Sequence, residues 1–295
     1  MRFLFALLFW SASLCCQLYC QDSVLRFAVI GDYGKAGANE AAVARLVQSW
    51  NPDLIITVGD NNYPRGSDTT IDQNIGQYYH QFIHPYRGKF GAGGTVNRFY
   101  PSLGNHDWYT PGAKPYLEYF TLPGNERYYE FRQGPVHFFA LDSDKHEPDG
   151  KSDTSIQARW LKERLAEAAA PWKIVYFHHP PYLSSGINHQ PDTAMQWPFT
   201  AWGASVVLAG HEHVYERLHV EGIPYFVNGL GGANIYPERA GVPQSQVRFS
   251  GAHAAMLMEA TGVELKFWCI TVQGDTIDSG RIGVEERIHH GDEGE

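Results

Sequence analysis

The sequence predicts an α/β fold in which two packed, mixed β-sheets are flanked by helices. In the first part of the chain, apolar strand-like runs alternate with helical periodicity, which is typical of β-α-β crossovers and parallel strands. Later, strand signals follow one another with few helices between them, which indicates hairpins and antiparallel pairing. This many strands favours two packed sheets over one open sheet.

The first β-α-β unit contains the clearest helix. Residues 38–50 carry Ala, Val and Leu at helical spacing and stop before Pro52. A second helix is predicted over residues 155–169, where Ile156, Trp160, Leu161 and Leu165 share one face. Later strands are predicted at 128–132, 136–142, 225–227, 255–259, 264–271 and 276–282.

Length and charge bound the possible functions. The chain has 295 residues, 43% of them hydrophobic, which suffices for one large domain or two small ones. We interpret residues 21–287 as one domain and residues 288–295 as a polar, flexible tail. The formal net charge of −9 argues against a nucleic-acid partner.

Residues 1–20 have the features of a secretory signal peptide. Arg2 forms a short positive region, residues 3–10 are apolar, and small residues follow. The run is too short to span a bilayer, and no membrane anchor is expected. We therefore expect a secreted or extracellular protein, or a periplasmic or lumenal one; the alternative is a hydrophobic N-terminal strand. Cleavage after Cys20 would leave Cys269 as the remaining thiol, which we expect to be buried.

Five apolar runs each end abruptly in Asp, Asn, Tyr or His. The clusters are Gly31-Asp32 after 25–30, Gly59-Asp60-Asn61-Asn62-Tyr63 after 54–58, Gly104-Asn105-His106-Asp107 after 99–103, His178-His179 after 173–177, and Gly210-His211-Glu212-His213 after 204–209. Strands that deliver side chains from their carboxyl ends can converge them on one point. Hard oxygen ligands and imidazoles that converge in this way predict a metal site.

The number of candidate ligands predicts two metals rather than one. The candidates are Asp32, Asp60, Tyr63, Asn105, His178, His211 and His213. Seven side chains are too many for one small cation with open positions, but they suit two cations that share a carboxylate. Asp60 is the natural bridge, and the spacing of His211 and His213 lets them bind different metals.

The order of these motifs resembles the calcineurin-like metallophosphoesterases, and Tyr63 narrows the resemblance to the purple acid phosphatase branch. It spans residues 24–217 and implies a four-layer αββα sandwich of two mixed sheets. It also implies that Asp32, Tyr63 and His213 hold iron(III), and that Asn105, His178 and His211 hold a divalent zinc, iron or manganese ion, with Asp60 between them.

The resemblance implies a phosphatase that hydrolyses small phosphate monoesters by attack of a metal-bound hydroxide. Two such ions bring about five positive charges against about four negative ones, so the centre would attract a phosphate. We expect His106 and His189 to assist the leaving group and Asp107 to hold the His106 ring. For His179 a supporting role and simple packing remain open.

Two other functions remain open. The first is a phosphodiesterase or nucleotide hydrolase with the same site, and the second is a non-catalytic secreted metal-binding protein. The aromatic segment 68–98 forms either one wall of a substrate cleft or a surface excursion that packs its own aromatic side chains. The sequence assigns no oligomeric state.

Overall fold

The strands form two mixed sheets. A computed structural model describes residues 24–184, 190–237 and 240–284. In chain order, its strands are β1 Leu25–Ile30, β2 Leu54–Thr57, β3 Phe99–Pro101, β4 Tyr129–Gln133, β5 Val136–Ala140, β6 Trp172–Tyr176, β7 Val206–Ala209, β8 Tyr215–Val220, β9 Ile223–Asn228, β10 Ser245–Phe249, β11 Ala254–Ala260, β12 Glu264–Thr271 and β13 Thr276–Gly283.

One sheet has six strands in the order β13-β12-β11-β1-β2-β3, and the other has seven in the order β10-β8-β9-β7-β6-β5-β4. In the first, β1, β2 and β3 are parallel, whereas β11, β12 and β13 pair antiparallel. In the second, β5, β6, β7 and β9 are parallel. Both sheets are therefore mixed, as the sequence predicted.

The helices lie on the outer faces and in the loops. They are α1 Ala38–Ser49, α2 Asp68–Ile71, α3 Gln77–Tyr79, α4 Asn105–Trp108, α5 Lys114–Tyr119 and α6 Ile156–Glu167, with a π-helical turn Asp72–Gly76 and 3-10 turns His80–Phe82, Pro111–Ala113 and Thr193–Met195. The Ser155 side chain caps α6 by accepting a hydrogen bond from the main-chain N–H of Ala158. The two predicted helices are present within two residues of their expected ends.

The two sheets pack face to face, and the alternation of side chains along each strand separates the layers. Phe27 of β1 meets Phe138 of β5 edge to face, with ring centroids 5.1 Å apart, between the sheets. The next residue, Phe139, points to the opposite face and packs with Leu161 and Leu165 of α6. Helix α1 covers the six-stranded sheet and contacts β11. The αββα layering is therefore confirmed.

Other sequence expectations have mixed outcomes. Cys269 is buried, as expected. Strands β8 and β10 were not predicted from the sequence. The segment 68–98 contains helices α2 and α3. Its Tyr79 packs against the core residues Tyr33 and Phe99. Within residues 24–184, 190–237 and 240–284, no helix is long and apolar enough to cross a membrane. The predicted signal peptide and tail lie outside the described residues.

Candidate metal centre

All seven candidate ligands lie within the described residues and meet at the carboxyl ends of the central parallel strands. Asp32 follows β1, Asp60 and Tyr63 follow β2, and Asn105 opens helix α4 just after β3. From the facing sheet, His178 follows β6, while His211 and His213 follow β7. Because neighbouring parallel strands end at the same edge of a sheet, the two sheets deliver these side chains to one place.

Four side chains form the first group. The Tyr63 hydroxyl lies 3.0 Å from Oδ2 of Asp60, 3.3 Å from Oδ1 of Asp32 and 3.1 Å from Nε2 of His213. Nε2 of His213 is also 3.3 Å from Oδ1 of Asp32. This group therefore has two carboxylate oxygens, one phenol oxygen and one imidazole nitrogen.

Four side chains form the second group, and Asp60 belongs to both. Nε2 of His178 lies 3.4 Å from Oδ1 of Asp60, 3.1 Å from Oδ1 of Asn105 and 3.1 Å from Nδ1 of His211. Asp60 thus presents Oδ2 to the first group and Oδ1 to the second. This is the arrangement expected of a carboxylate shared by two cations.

The spacing and burial of these atoms fit metal ions. Ligand atoms that bind one ion at about 2.0–2.2 Å lie roughly 3.0–3.5 Å apart, as the atoms of both groups do. Asp32 and Asp60 are 0% and 1% exposed. Two carboxylates buried this close together repel each other, and a cation between them removes that cost. The donor set therefore fits a pair of cations, although the identity of the metals and the role of each residue stay predictions.

Backbone strain is concentrated at these positions. Asp32, Asp60 and His211 have positive φ angles of 54°, 54° and 71°, which residues other than glycine seldom adopt. Each residue comes directly after a glycine at the end of a strand, so the chain turns sharply there. Strain of this kind persists where the surrounding structure fixes it, and it is typical of functional sites.

Hydrogen bonds fix the orientation of two imidazoles. Nδ1 of His178 lies 2.8 Å from the Val58 carbonyl, and Nδ1 of His213 lies 2.5 Å from the Asn234 carbonyl. Since a carbonyl oxygen only accepts, both Nδ1 atoms carry the proton. When the rings are neutral, Nε2 of each has a free lone pair that points into its group, as a metal ligand requires.

Burial and neighbouring charges shift the pKa values of three of the candidate ligands. Burial lowers the pKa of His178, but the facing Asp60 and Asp32 carboxylates outweigh this and raise it to about 10. Burial alone would raise the pKa of Asp60, yet His178 holds it well below its usual range. Burial and the two carboxylates raise the pKa of Tyr63 well above its ordinary value. The phenol therefore keeps its proton until a cation offsets the nearby negative charge.

His106 lies beside the shared carboxylate, but Asp107 does not hold its ring. Nδ1 of His106 lies 2.6 Å from the Pro64 carbonyl, and Nε2 is 3.9 Å from Oδ2 of Asp60. Oδ2 of Asp107 instead accepts the main-chain N–H of Gly104 and the side-chain amide of Asn61. The expected ring contact was wrong because Asp107 caps helix α4 and points into the protein interior.

Of the two remaining candidate histidines, His179 and His189, the structure describes only His179. One ring nitrogen of His179 lies within 4.8 Å of ligand atoms of His178 and His211. Nδ1 of His179 is 2.9 Å from Oγ of Ser143, and its ring centroid is 4.4 Å from that of His211. His179 therefore borders the second group. His189 lies outside the described residues.

Glycines let the backbone come close to the site. Gly59 has φ +89°, and a Cβ there would lie 2.6 Å from Nδ1 of His178. The loop after β9 also supports the site, and the sequence did not reveal this role. The main-chain N–H of Ala233 donates to the carbonyl of Asp32. The ring of Tyr236 stacks on that of His213, with ring centroids 4.2 Å apart. The cluster Gly229, Gly231 and Gly232 was the available signal for a close backbone approach.

A comparison with protein families identifies the class of this protein. The calcineurin-like phosphoesterase family model matches residues 25–215. The chain therefore belongs to the calcineurin-like phosphoesterase family.

Within that family, the resemblance to purple acid phosphatases is confirmed. Purple acid phosphatase 23 of Arabidopsis thaliana is 27% identical over 223 residues, covering 66% of this chain and 48% of the plant protein. Tartrate-resistant acid phosphatase type 5 of Rattus norvegicus is 25% identical over 284 residues, covering 82% of this chain and 84% of that protein. The chain spans about half the length of the plant relatives that it matches.

Solved structures share the fold. A purple acid phosphatase from yellow lupin (Lupinus luteus) seeds has a TM-score of 0.74 and 17% identity, covering 91% of this chain and 55% of that one. GAP50, described as the anchor in the inner membrane complex of Plasmodium, has a TM-score of 0.69 and 16% identity, covering 90% of this chain and 93% of that one. At these identities the similarity concerns the fold alone.

Proposed function

We propose that this protein is a secreted phosphatase that hydrolyses phosphate monoesters at a dinuclear metal centre. One observation carries the proposal: Asp60 gives one oxygen to each of two ligand groups, with Nε2 of His178 3.4 Å from Oδ1 and the Tyr63 hydroxyl 3.0 Å from Oδ2. The names of its relatives, purple and tartrate-resistant acid phosphatases, agree with this activity.

The ligand chemistry favours different metals in the two groups. Asp32, Tyr63 and His213, with Asp60, offer hard anionic donors that suit iron(III). Asn105, His178 and His211 offer a neutral amide and imidazoles, which suit a divalent zinc, iron or manganese ion. When bound, two such ions would polarise a phosphoryl oxygen and activate water for attack on phosphorus.

The protein itself would supply a proton through His106. Because Nδ1 of His106 donates to the Pro64 carbonyl at 2.6 Å, a protonated ring carries its second proton on Nε2. This atom lies 3.9 Å from Oδ2 of Asp60, at the edge of the centre. Nε2 of His106 can therefore give its proton to the departing alkoxide, a transfer that contributes about 10²–10⁴-fold to a rate. His189 stays a second candidate for this role.

The other functions predict different behaviour in solution. A phosphodiesterase would prefer a diester to the matching monoester, and a nucleotide hydrolase would prefer a nucleotide. A non-catalytic metal-binding protein would bind metal and hydrolyse neither ester. GAP50, named as an anchor, adopts this fold, so the fold alone does not decide between enzyme and non-enzyme. The complete set of ligand types favours the enzyme.

The deciding experiment uses the full chain loaded with iron and zinc. Hydrolysis of phenyl phosphate and of its diester is compared for the wild type and Asp60→Asn, with metal content measured for both. We expect hydrolysis of the monoester by the wild type and its loss in Asp60→Asn. A metal-replete wild type that hydrolyses neither ester would overturn the proposal. Secretion is tested separately by expressing the chain with and without residues 1–20 and sequencing the N-terminus of the exported product.

A further inference from the structure

One buried amide in segment 68–98 contacts two of the loops that carry candidate ligands. Asn74 is the third residue of the π-helical turn Asp72–Gly76, which lies between helices α2 and α3. The residue is 6% exposed. π-Helical turns are rare in proteins and occur frequently at functional sites. Asn74 is outside the five strand-end clusters and is not a candidate ligand, but its hydrogen bonds lead directly to the loops of residues that are.

The Asn74 amide uses both of its N–H groups and its oxygen. Nδ2 donates to the main-chain carbonyl of Tyr63 at 2.9 Å and to Oδ1 of Asn62 at 2.8 Å. Oδ1 accepts the main-chain N–H of Ala36 at 3.0 Å. Because a main-chain carbonyl only accepts and a main-chain N–H only donates, the amide group can take only this orientation. One side chain therefore joins the loop after β2, which contains Tyr63, to the loop after β1, which contains Asp32.

The same two loops also contact each other through the main chain. The N–H of Tyr63 donates to the Gly34 carbonyl at 2.7 Å, and the N–H of Asp32 donates to the Gly59 carbonyl at 3.1 Å. Asn74 adds a further link from a part of the chain outside both loops. The distance of 3.3 Å between the Tyr63 hydroxyl and Oδ1 of Asp32 depends on how these loops are held.

The π-helical turn is itself fixed in the protein interior. Ile75, the neighbour of Asn74, is 0% exposed. At the start of the turn, Oδ1 of Asp72 accepts hydrogen bonds from the hydroxyls of Tyr86 and Tyr119 at 2.6 and 2.9 Å. A side chain on an element that is packed and hydrogen-bonded in this way can hold other groups in a defined geometry.

We propose that Asn74 is a positioning residue that holds the loops of Asp32 and Tyr63 in the arrangement required by the cation of the first group. The proposal rests on the proposed dinuclear centre and adds to it a residue that binds no metal. Ligands that are already in place bind an ion more tightly, because the loops need not be ordered when the ion arrives. The partners of Asn74 all belong to the loops after β1 and β2, so the cation of the second group should be affected less.

The test compares two variants that each remove one buried amide. Asn74→Ala removes the three hydrogen bonds described above. Gln157→Ala, the matched control, removes three hydrogen bonds from helix α6 to the main chain of Asp142 and Gly150. Gln157 is 0% exposed, and its partners lie in a loop that carries no candidate ligand. Both variants should have a lower Tm than the wild type, since each leaves buried main-chain groups unpaired.

Only Asn74→Ala should weaken the binding of iron(III) to the first group. We expect its dissociation constant for iron(III) to rise roughly 10- to 100-fold, the usual effect of removing a residue that orients metal ligands. The constant is measured by competition with a chelator on the full chain, at a temperature at which both variants are folded. Zinc in the second group should be retained better than iron, and Gln157→Ala should bind iron(III) as the wild type does.

A spectroscopic measurement separates positioning from general stability. With saturating iron, the visible band expected from the Tyr63 phenolate should shift in Asn74→Ala, because the hydrogen bond to the Tyr63 carbonyl is lost. Gln157→Ala, although also less stable, should keep the band of the wild type. An Asn74→Ala protein with the iron affinity and the band of the wild type would overturn the proposal, and so would an equal loss of iron affinity in Gln157→Ala.

Failure of this proposal can be told from failure of the phosphatase function. If iron affinity depends on Asn74 but the metal-loaded wild type hydrolyses no phosphate ester, the positioning role is confirmed and the proposed activity is wrong. If the wild type hydrolyses a monoester and both variants bind iron(III) equally well, the activity stands and the positioning role is wrong. A wild type that binds no iron(III) would contradict both the metal assignment and the role of Asn74.

Discussion

The main-chain N–H of His106 donates a hydrogen bond of 2.9 Å to Oδ1 of Asp60. The backbone of the candidate acid is thus tied to the carboxylate that belongs to both ligand groups, while its side chain reaches toward the other oxygen of the same carboxylate. The main-chain contact does not depend on the imidazole. A mutation of the side chain can therefore separate the support of Asp60 by the main chain from proton donation by the imidazole.

We expect His106→Ala to lower kcat on a phosphate monoester by roughly 10²-fold, with little loss of bound metal. The side chain that supplies the proton is gone, whereas the hydrogen bond to Asp60 remains. Turnover and metal content are measured on the same sample. His219→Ala, which removes an exposed histidine from β8, should change neither. Parallel loss of metal and activity would mean that His106 supports the centre rather than the reaction.

Asp60→Asn should reduce the bound metal from about two ions per chain to one or none. An amide has a single carbonyl oxygen and no charge, so it cannot serve two cations as a carboxylate does. Metal content by mass spectrometry checks this. The matched control is Asp153→Asn, an exposed carboxylate on a loop. Retention of both ions by Asp60→Asn would contradict the shared role inferred from the distances.

Tyr63→Phe should remove a visible absorption band from the oxidised, iron-loaded protein. Such a band would arise from charge transfer between the phenolate and iron(III), and phenylalanine keeps the ring contact with His106 but has no oxygen. Tyr100→Phe, which removes a hydroxyl that donates to the carbonyl of Asn97, should keep the band. A colourless wild type that contains iron would show that Tyr63 does not bind it.

Glu40 should make the stability of the protein depend on pH. Its side chain is fully buried in helix α1. Burial raises its pKa well above its ordinary value of 4.5, and the main-chain N–H of Lys35 opposes this only in part. The folded state therefore holds a proton that the unfolded state releases. Stability is greatest below the unfolded pKa and falls as the pH rises from about 4.5 toward the raised folded pKa.

Glu40→Gln should remove this loss because the amide stays neutral. We expect its Tm at pH 8 to exceed that of the wild type by roughly 2–4 °C, the shift that 1 kcal/mol causes in a domain of this size. The difference should shrink toward pH 4.5. Thermal unfolding across this pH range is compared with Glu163→Gln, an exposed site on α6. An equal Tm for wild type and Glu40→Gln at every pH would refute the prediction.

Much of the site could be predicted because its residues directly follow apolar runs. Asp32, Asp60 and His178 each follow a buried strand, and this local pattern can be recognised in the sequence without knowing the fold. The role of Asp107 could not be predicted, since a helix cap and a contact to His106 require the same residue at the same position. The supporting loop of Asn234 and Tyr236 also escaped notice, because its contacts with the site span a long stretch of chain.

The sequence by itself determined the layers of the fold, the family and the list of candidate ligands, because periodicity and strand-end motifs are local properties. Only the tertiary structure decided how those ligands divide, with Asp60 facing His178 through one oxygen and Tyr63 through the other. It alone also placed the ring of Trp108 against that of His146. Both depend on the packing of one sheet against the other, which brings together residues that are far apart in the chain. A local sequence pattern does not specify the distances between such residues.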